Sequence, residues 1–343
     1  MRLGHVPALD ALRGIAILLV LAVHTADALP GGVLGVDLFF VLSGFLITSL
    51  LLGEWDRDGR ISFRGFYRRR ALRLLPALLT MLTVFAVVAA VAVESFGTEL
   101  TWVLYSLFYI VNIAAVHEGG IDADGLQHMW TLAQEEQFYF VWPVVLWATV
   151  RAGIRPRVLV GLLAAVGVAL LAWRASSWLT GATPGYLFYA PETRSDGLVL
   201  GCLAGVAFSY GLVRRVPLRL ATVALVPACF AIATIDLQKP GLASILLPLF
   251  CVSATVVLLA CVLEHGWWFT RLVDHGWLRG LGKISYGLYL WHLPIYVAVG
   301  WELGLPLTVL VALASYRFVE QPFLRRRHRA APRETHTPVT VPA

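Results

Sequence analysis

Apolar runs of about 20 residues, the length that crosses a hydrocarbon core about 30 Å thick, recur along almost the whole of this sequence. They fall at 9–28, 33–52, 75–94, 131–150, 156–175, 194–212, 216–236, 242–263, 280–300 and 303–320. Only 14% of the 343 residues are charged and 59% are apolar, with a mean hydropathy of +0.76. A soluble domain carries roughly 25% charged residues. That contrast excludes a soluble enzyme, a disordered chain and a nucleic-acid-binding module. The expected fold is an all-α polytopic membrane protein of about ten transmembrane helices, because helices satisfy their own backbone polar groups in lipid.

The basic residues set the orientation. With ten spans, 23 of the 27 Lys and Arg residues fall on one side, including seven arginines from Arg57 to Arg73. Arg174, Arg194 and Lys239 fall on the other side, and Arg13 lies within the first span. Between Arg73 and Arg151 there is no basic Lys or Arg, although Glu94, Glu99, Glu118, Asp122 and Asp124 occur there. This asymmetry follows the positive-inside rule. It predicts cytoplasmic termini and an extracytoplasmic loop over 95–130, in which the apolar segment 100–116 lies at the interface or re-enters. The net charge of +6 is thus a topology signal, with no nucleic-acid partner implied. Residues 1–325 read as one integral-membrane domain and 326–343 as a short basic, disordered cytoplasmic tail. The alternative of a cleaved signal peptide rests on Ala26-Asp27-Ala28 after an apolar stretch. Cys202, Cys229, Cys251 and Cys261 lie in apolar runs without CxxC spacing, so they support neither a disulfide framework nor a metal site.

Ionisable groups within spans cost roughly 2.5–3.5 kcal/mol each on insertion scales, so they mark candidate functional positions. Arg13 and His24 are eleven residues apart in the first span. On a helix this spacing is three turns plus about 20°, which puts both on one face about 16 Å apart. Arg13 alone could snorkel to lipid phosphate; the shared face favours a lined pathway. GVDLFFVLSGFLIT buries Asp37 and Ser43 and carries Gly35 and Gly44, where another helix can approach closely. FRGFYRRRALRLLP reads as a loop holding Arg64, Arg68, Arg69, Arg70 and Arg73, with Pro76 opening the next span. Such a cluster suits topology, anionic lipid or a phosphorylated ligand. HMWTLAQEEQFYFVWP brings Glu135 and Glu136 into the fourth span beside His128 and Trp130, and Arg194 and Asp196 begin the sixth. LGKISYGLYLWHLPI buries Ser285, Tyr286, Tyr289 and His292 in the ninth. Polar groups spread over several helices suggest a cavity. The same set would also suit a secondary transporter or exporter with a proton or substrate path.

These motifs, in this order and over about residues 5–325, resemble the membrane-bound acyltransferase-3 family of glycan O-acetyltransferases. The resemblance rests on LDALRGIAILLVLAVH, GVDLFFVLSGFLIT, RRALRLLP, WTLAQEEQFYFVWP, TRSDGLVLG, SYGLYLWHLP and VEQPF. One departure is Thr131 after Trp130, where the family usually has Ser. Some members carry a fused esterase-like C-terminal domain, whereas this sequence stops after its basic tail.

The resemblance implies a multi-pass enzyme of a bacterial cytoplasmic membrane. Its donor would be acyl-CoA, most simply acetyl-CoA, with no tightly bound cofactor and no metal. Arg69, Arg70 and Arg73 would hold the CoA phosphates. His24 would act as general base or acyl carrier, with Arg13 and Glu135 assisting. Asp37, Ser43, Arg194, Asp196, Ser285, Tyr286 and His292 would meet the acceptor, a sugar, lipid-linked glycan or small natural product such as a macrolide. Membrane lipids are the other expected partner, and the oligomeric state is not legible.

Overall fold

The computed structural model describes residues 1, 3–25, 29–92, 96–236 and 239–329. Arg2, the Ala26-Asp27-Ala28 segment, Glu94 and the tail from 330 onward, with Arg333, lie outside the described residues. Among the described residues every element is helical. The first half holds α1 (Pro7–Val23), a 3-10 turn (Pro30–Val33), α2 (Leu34–Asp58), α3 (Phe63–Ala92), α4 (Phe96–Leu107), α5 (Val111–Glu118) and α6 (Met129–Arg151). Next come α7 (Pro156–Leu179), the short α8 (Pro184–Tyr189) and α9 (Pro191–Arg194), α10 (Asp196–Ser209) and α11 (Leu218–Thr234). Then follow α12 (Pro240–Leu263), α13 (Trp268–Val273), α14 (Gly276–Ala314), a π-helical turn (Ser315–Glu320) and α15 (Gln321–Arg329).

Among the described residues, five segments are long and apolar enough to cross a membrane: Pro30–Asp58, Phe63–Val91, Pro156–Leu179, Gly241–Leu263 and Gly276–Arg325. Two further apolar helices, Asp196–Ser209 and Leu218–Thr234, are shorter. The two apolar runs 280–300 and 303–320 lie on one long helix. Gly300, at φ 75 and ψ 163, breaks it at the point where the sequence separates them. Only glycine adopts that conformation readily. Segment 100–116 is not one helix: α4 and α5 meet at Tyr109, which has φ 55. At 1.5 Å per residue they reach roughly 18 and 12 Å, too short for a crossing.

The arginine run departs from expectation. FRGFYRRRALRLLP is not a loop, because α3 begins at Phe63 and carries all five arginines on its first turns. Arg and Leu are good helix formers, and nothing in that stretch ends a helix before Pro76. Pro76 therefore lies inside α3 rather than at its start. Thr80 Oγ1 donates to the Pro76 carbonyl at 2.8 Å.

The outward faces are apolar. Val87 and Val91 of α3, Phe140 of α6, Val168 of α7 and Val226 and Phe230 of α11 are all exposed. In water this would be a large adhesive patch, whereas in lipid it matches the solvent. With apolar solvent outside, close packing must hold the helices together, and small residues permit it. A Cβ on Gly282 of α14 would collide with the Asp10 carbonyl of α1, and one on Gly14 with the Leu278 carbonyl. Gly35 faces the Ala16 carbonyl of α1, and Gly44 and Gly201 bring α2 against α10 in the same way.

This packing predicts a contrast between two glycines. Gly201→Leu should overpack the α2–α10 contact and cost at least about 1–3 kcal/mol. Gly53→Ala, where a Cβ meets open space, should leave the melting temperature equal or higher. Thermal unfolding in detergent separates them, and equal melting of Gly201→Leu and the parent would refute the tight contact.

Candidate active site

α1, α2, α3, α6 and α14 surround a cavity of about 310 Å³. Its lining includes Arg70 and Arg73 of α3, Asp10 and Arg13 of α1, Ser43 of α2 and Glu135 of α6. A smaller chamber of about 60 Å³ adjoins it and shares Arg13, Phe39, Leu132, Glu135 and Tyr286. Beyond that border the chamber is lined by Thr131, Ser285 and Tyr289. Polar groups thus run continuously from the arginines of α3 to the middle of α14.

The neighbouring acids of α6 point to different helices, as a turn of about 100° per residue requires. Ser43 Oγ donates to Glu135 Oε1 at 2.7 Å. Arg70 donates to Glu136 through Nη2 at 2.6 Å and Nε at 2.9 Å, and its guanidinium lies 3.2 Å over the Tyr139 ring. Arg69 turns away to Glu54 at 3.3 Å and lines neither cavity, so the structure separates it from Arg70 and Arg73. Arg13 is half-buried, and its Nε has no hydrogen-bond partner among the described residues. Tyr286 donates to the Leu74 carbonyl at 2.9 Å, which fixes α14 against α3.

Past the chamber lies a row of imidazoles. His24 caps the C-terminus of α1 and is exposed. Its ring lies 5.0 Å from that of His292, which lies 5.0 Å from that of His128. His24 Nδ1 contacts the Val20 carbonyl at 2.8 Å, and His292 Nδ1 contacts the Tyr289 carbonyl at 2.6 Å. A carbonyl oxygen can only accept, so both rings carry their proton on Nδ1 and present Nε2 as the basic nitrogen.

Asp37, Arg194 and Asp196 line neither of these cavities. Arg194 donates to Asp37 at 3.1 Å, with side chains 0% and 1% exposed. Its guanidinium also lies 5.3 Å from the Trp130 ring and 5.5 Å from that of Phe188. Asp196 pairs with Arg174 at 2.9 Å. Arg174, assigned from sequence to a span boundary, is a buried cation of α7, and it also donates to the Thr193 carbonyl. Asp37, Asp196 and Cys251 are close enough to hold a metal ion. Guanidinium groups already neutralise both carboxylates there, which opposes a further cation.

His128, Thr131, Tyr289, Glu136 and Arg174 stand in the sequence reading without an assigned role. Thr131, Glu136 and Tyr289 lie inside motifs already singled out. Arg174 met the rule that drew attention to Arg13, an isolated cation in an apolar run. Only packing shows that the His128 ring turns towards His292.

A family model described as "Acyltransferase domain" matches residues 6–316. The peptidoglycan O-acetyltransferase OatA of Listeria monocytogenes is 29% identical over 356 residues, covering 93% of this chain and 56% of that protein. YrhL of Bacillus subtilis is 31% identical over 362 residues, covering 95% of this chain and 56% of its own length. The O-acetyltransferase OatA of Staphylococcus aureus is 28% identical over 364 residues, covering 95% of this chain and 58% of that protein. The chain therefore spans little more than half the length of these relatives. No solved structure matches it.

The enclosed ion pairs yield a test of stability. Arg194→Ala strands the Asp37 carboxylate, and breaking a buried pair costs about 3–5 kcal/mol. The double variant Arg194→Met with Asp37→Leu removes both charges and should recover most of the loss. Differential scanning fluorimetry in detergent reads both, and wild-type melting of Arg194→Ala would contradict the assignment.

Proposed function

Because the chain belongs to the acyltransferase family just described, we propose that it is a membrane O-acyltransferase. It moves an acetyl group from cytoplasmic acetyl-CoA to a hydroxyl of a cell-wall glycan, peptidoglycan being the acceptor that the relatives' names suggest. In this reading the protein is a multi-pass component of a bacterial cytoplasmic membrane, with residues 1–325 as the membrane domain and both termini inside. The observation that carries the reading is the pair of adjoining cavities that runs from Arg70 and Arg73, past Arg13 and Glu135, to Tyr289, whose ring lies 5.5 Å from that of His292.

Guanidinium forks match phosphate oxygens in charge and shape, so Arg73, with the edge of Arg70 that Glu136 does not hold, takes the CoA phosphates. The pantetheine arm fills the 310 Å³ cavity, passes Arg13 and points the thioester through the small chamber towards His24. The Ser43 hydroxyl holds Glu135 in place, and the charge of Arg13, about 16 Å from His24 along α1, orients the donor. His24, at the exposed end of the route, removes the proton of the acceptor hydroxyl. The acceptor oxygen bonds to the carbonyl carbon, the C–S bond breaks, and the thiolate takes the proton from His24. In the two-step variant His24 Nε2 bonds to the carbonyl carbon and the CoA thiolate leaves; the acceptor oxygen then bonds to that carbon, the N–C bond breaks, and the hydroxyl proton passes to the thiolate. Asp37, Arg194 and Asp196 support the acceptor end indirectly, by tying α2 to the end of α9 and α7 to the start of α10.

Membranes supplied with labelled acetyl-CoA test the reading. His24→Ala should lower label transfer by about 10²–10⁴-fold, the contribution of a general base. Arg13→Ala should also abolish most transfer, and full activity of His24→Ala would remove its role. Arg70→Gln with Arg73→Gln should raise the KM for acetyl-CoA by about tenfold or more, as loss of about 1.4 kcal/mol of binding dictates. The KM for the acceptor should stay level; unchanged constants for both substrates would reduce these arginines to a topology signal.

A further inference from the structure

The small chamber ends on two buried hydroxyls that the acyl-transfer reading leaves without a task. Tyr289 OH lies 2.5 Å from Thr131 Oγ1 and 2.9 Å from the His128 carbonyl oxygen. Thr131 Oγ1 lies 3.1 Å from that same carbonyl oxygen. Three oxygens in mutual contact share only two hydroxyl hydrogens, so at most two of the three contacts are hydrogen bonds at any moment. If Thr131 donates to His128, the Tyr289 hydrogen rests on Thr131 Oγ1. It can swing to an incoming oxygen without leaving the His128 carbonyl unpaired. A buried donor that can be redirected in this way costs little to redirect, unlike one whose loss orphans its partner.

The surroundings fit a reacting carbonyl. Both residues line the chamber with Arg13 and Ser285, and Ser285 Oγ has no hydrogen-bond partner among the described residues. On the other side, the Tyr289 ring lies 5.5 Å from that of His292, which touches His24. The pair therefore stands between the donor route and the basic nitrogen of His24.

Resting on the acyl-transfer reading above, we propose that Tyr289, with Thr131 beside it, donates a hydrogen bond to the carbonyl oxygen of the acyl group during transfer. When the acceptor oxygen bonds to the carbonyl carbon, the C=O electron pair moves onto oxygen. The O–H of Tyr289 meets that charge in a low-dielectric interior, where fixed donors act most strongly. Collapse restores the carbonyl, breaks the C–S bond and returns the Tyr289 hydrogen to Thr131. The thiolate leaves with the proton first taken by His24, so atoms and charge balance.

The test uses the full chain in liposomes with labelled acetyl-CoA and soluble peptidoglycan fragments. Tyr289→Phe keeps the ring and should lower kcat by about 10²–10³-fold, the effect of removing one oxyanion donor. The KM for acetyl-CoA should shift by no more than about twofold, since the interaction forms only in the transition state. Thr131→Ser should keep most of kcat, whereas Thr131→Ala should lose it without a matching fall in melting temperature. That kcat-only loss, with rescue by serine, is a pattern that a purely structural role does not produce. Wild-type kcat in Tyr289→Phe overturns the proposal alone. Failure of the unaltered protein to transfer label overturns the acyl-transfer reading and the proposal with it.

Discussion

An unpaired charge in hydrocarbon costs several kcal/mol, and this fold meets that constraint in two distinct ways. Some charges are sealed: Arg194 with Asp37 and Arg174 with Asp196 form pairs shut off from solvent, with aromatic rings over Arg194. Others border an internal cavity, as Arg13, Arg70 and Arg73 do, with Arg70 held there by Glu136. The sealed pairs join α2 and α7 to the residues that open α10. The cavity-facing charges are left where a polar ligand can meet them.

Helix proximity makes the second arrangement possible. Gly14 and Gly282 allow α1 and α14 to touch backbone to backbone. That contact brings Arg13 opposite Ser285 and Tyr286 at one level and His24 opposite His292 at another. α6 completes the enclosure. Its two neighbouring carboxylates are tied to α2 through Ser43 and to α3 through Arg70.

Much of this was legible in the sequence, and the exceptions have physical causes. Turn arithmetic alone set Arg13 and His24 on one face, because α1 is a regular helix up to its cap at His24. The apolar runs marked the helices, but they blurred ends that hydropathy does not define. α3 begins among arginines that form helix well, and α10 is only 14 residues long. Asp37, Arg194 and Asp196 stood out as buried charges. Their mutual pairing is a long-range contact that no local pattern encodes, and it holds them apart from the two cavities of the candidate site. Tyr289 and Thr131 were visible as motif letters; the shared oxygen of His128 that joins them exists only once α6 meets α14.

The cap of α1 carries a consequence for how this helix can vary over evolution. Arg13 and His24 act at two levels of one rigid rod, and the rod keeps their phase. Exchanging one side chain between them leaves that phase intact, whereas adding or deleting a single residue swings His24 by about 100° and carries its ring off His292. Outside the close contact at Gly14, the stretch between them is therefore freer in chemistry than in number. Drift among its lipid-facing apolar letters keeps the phase, and a change in its length does not.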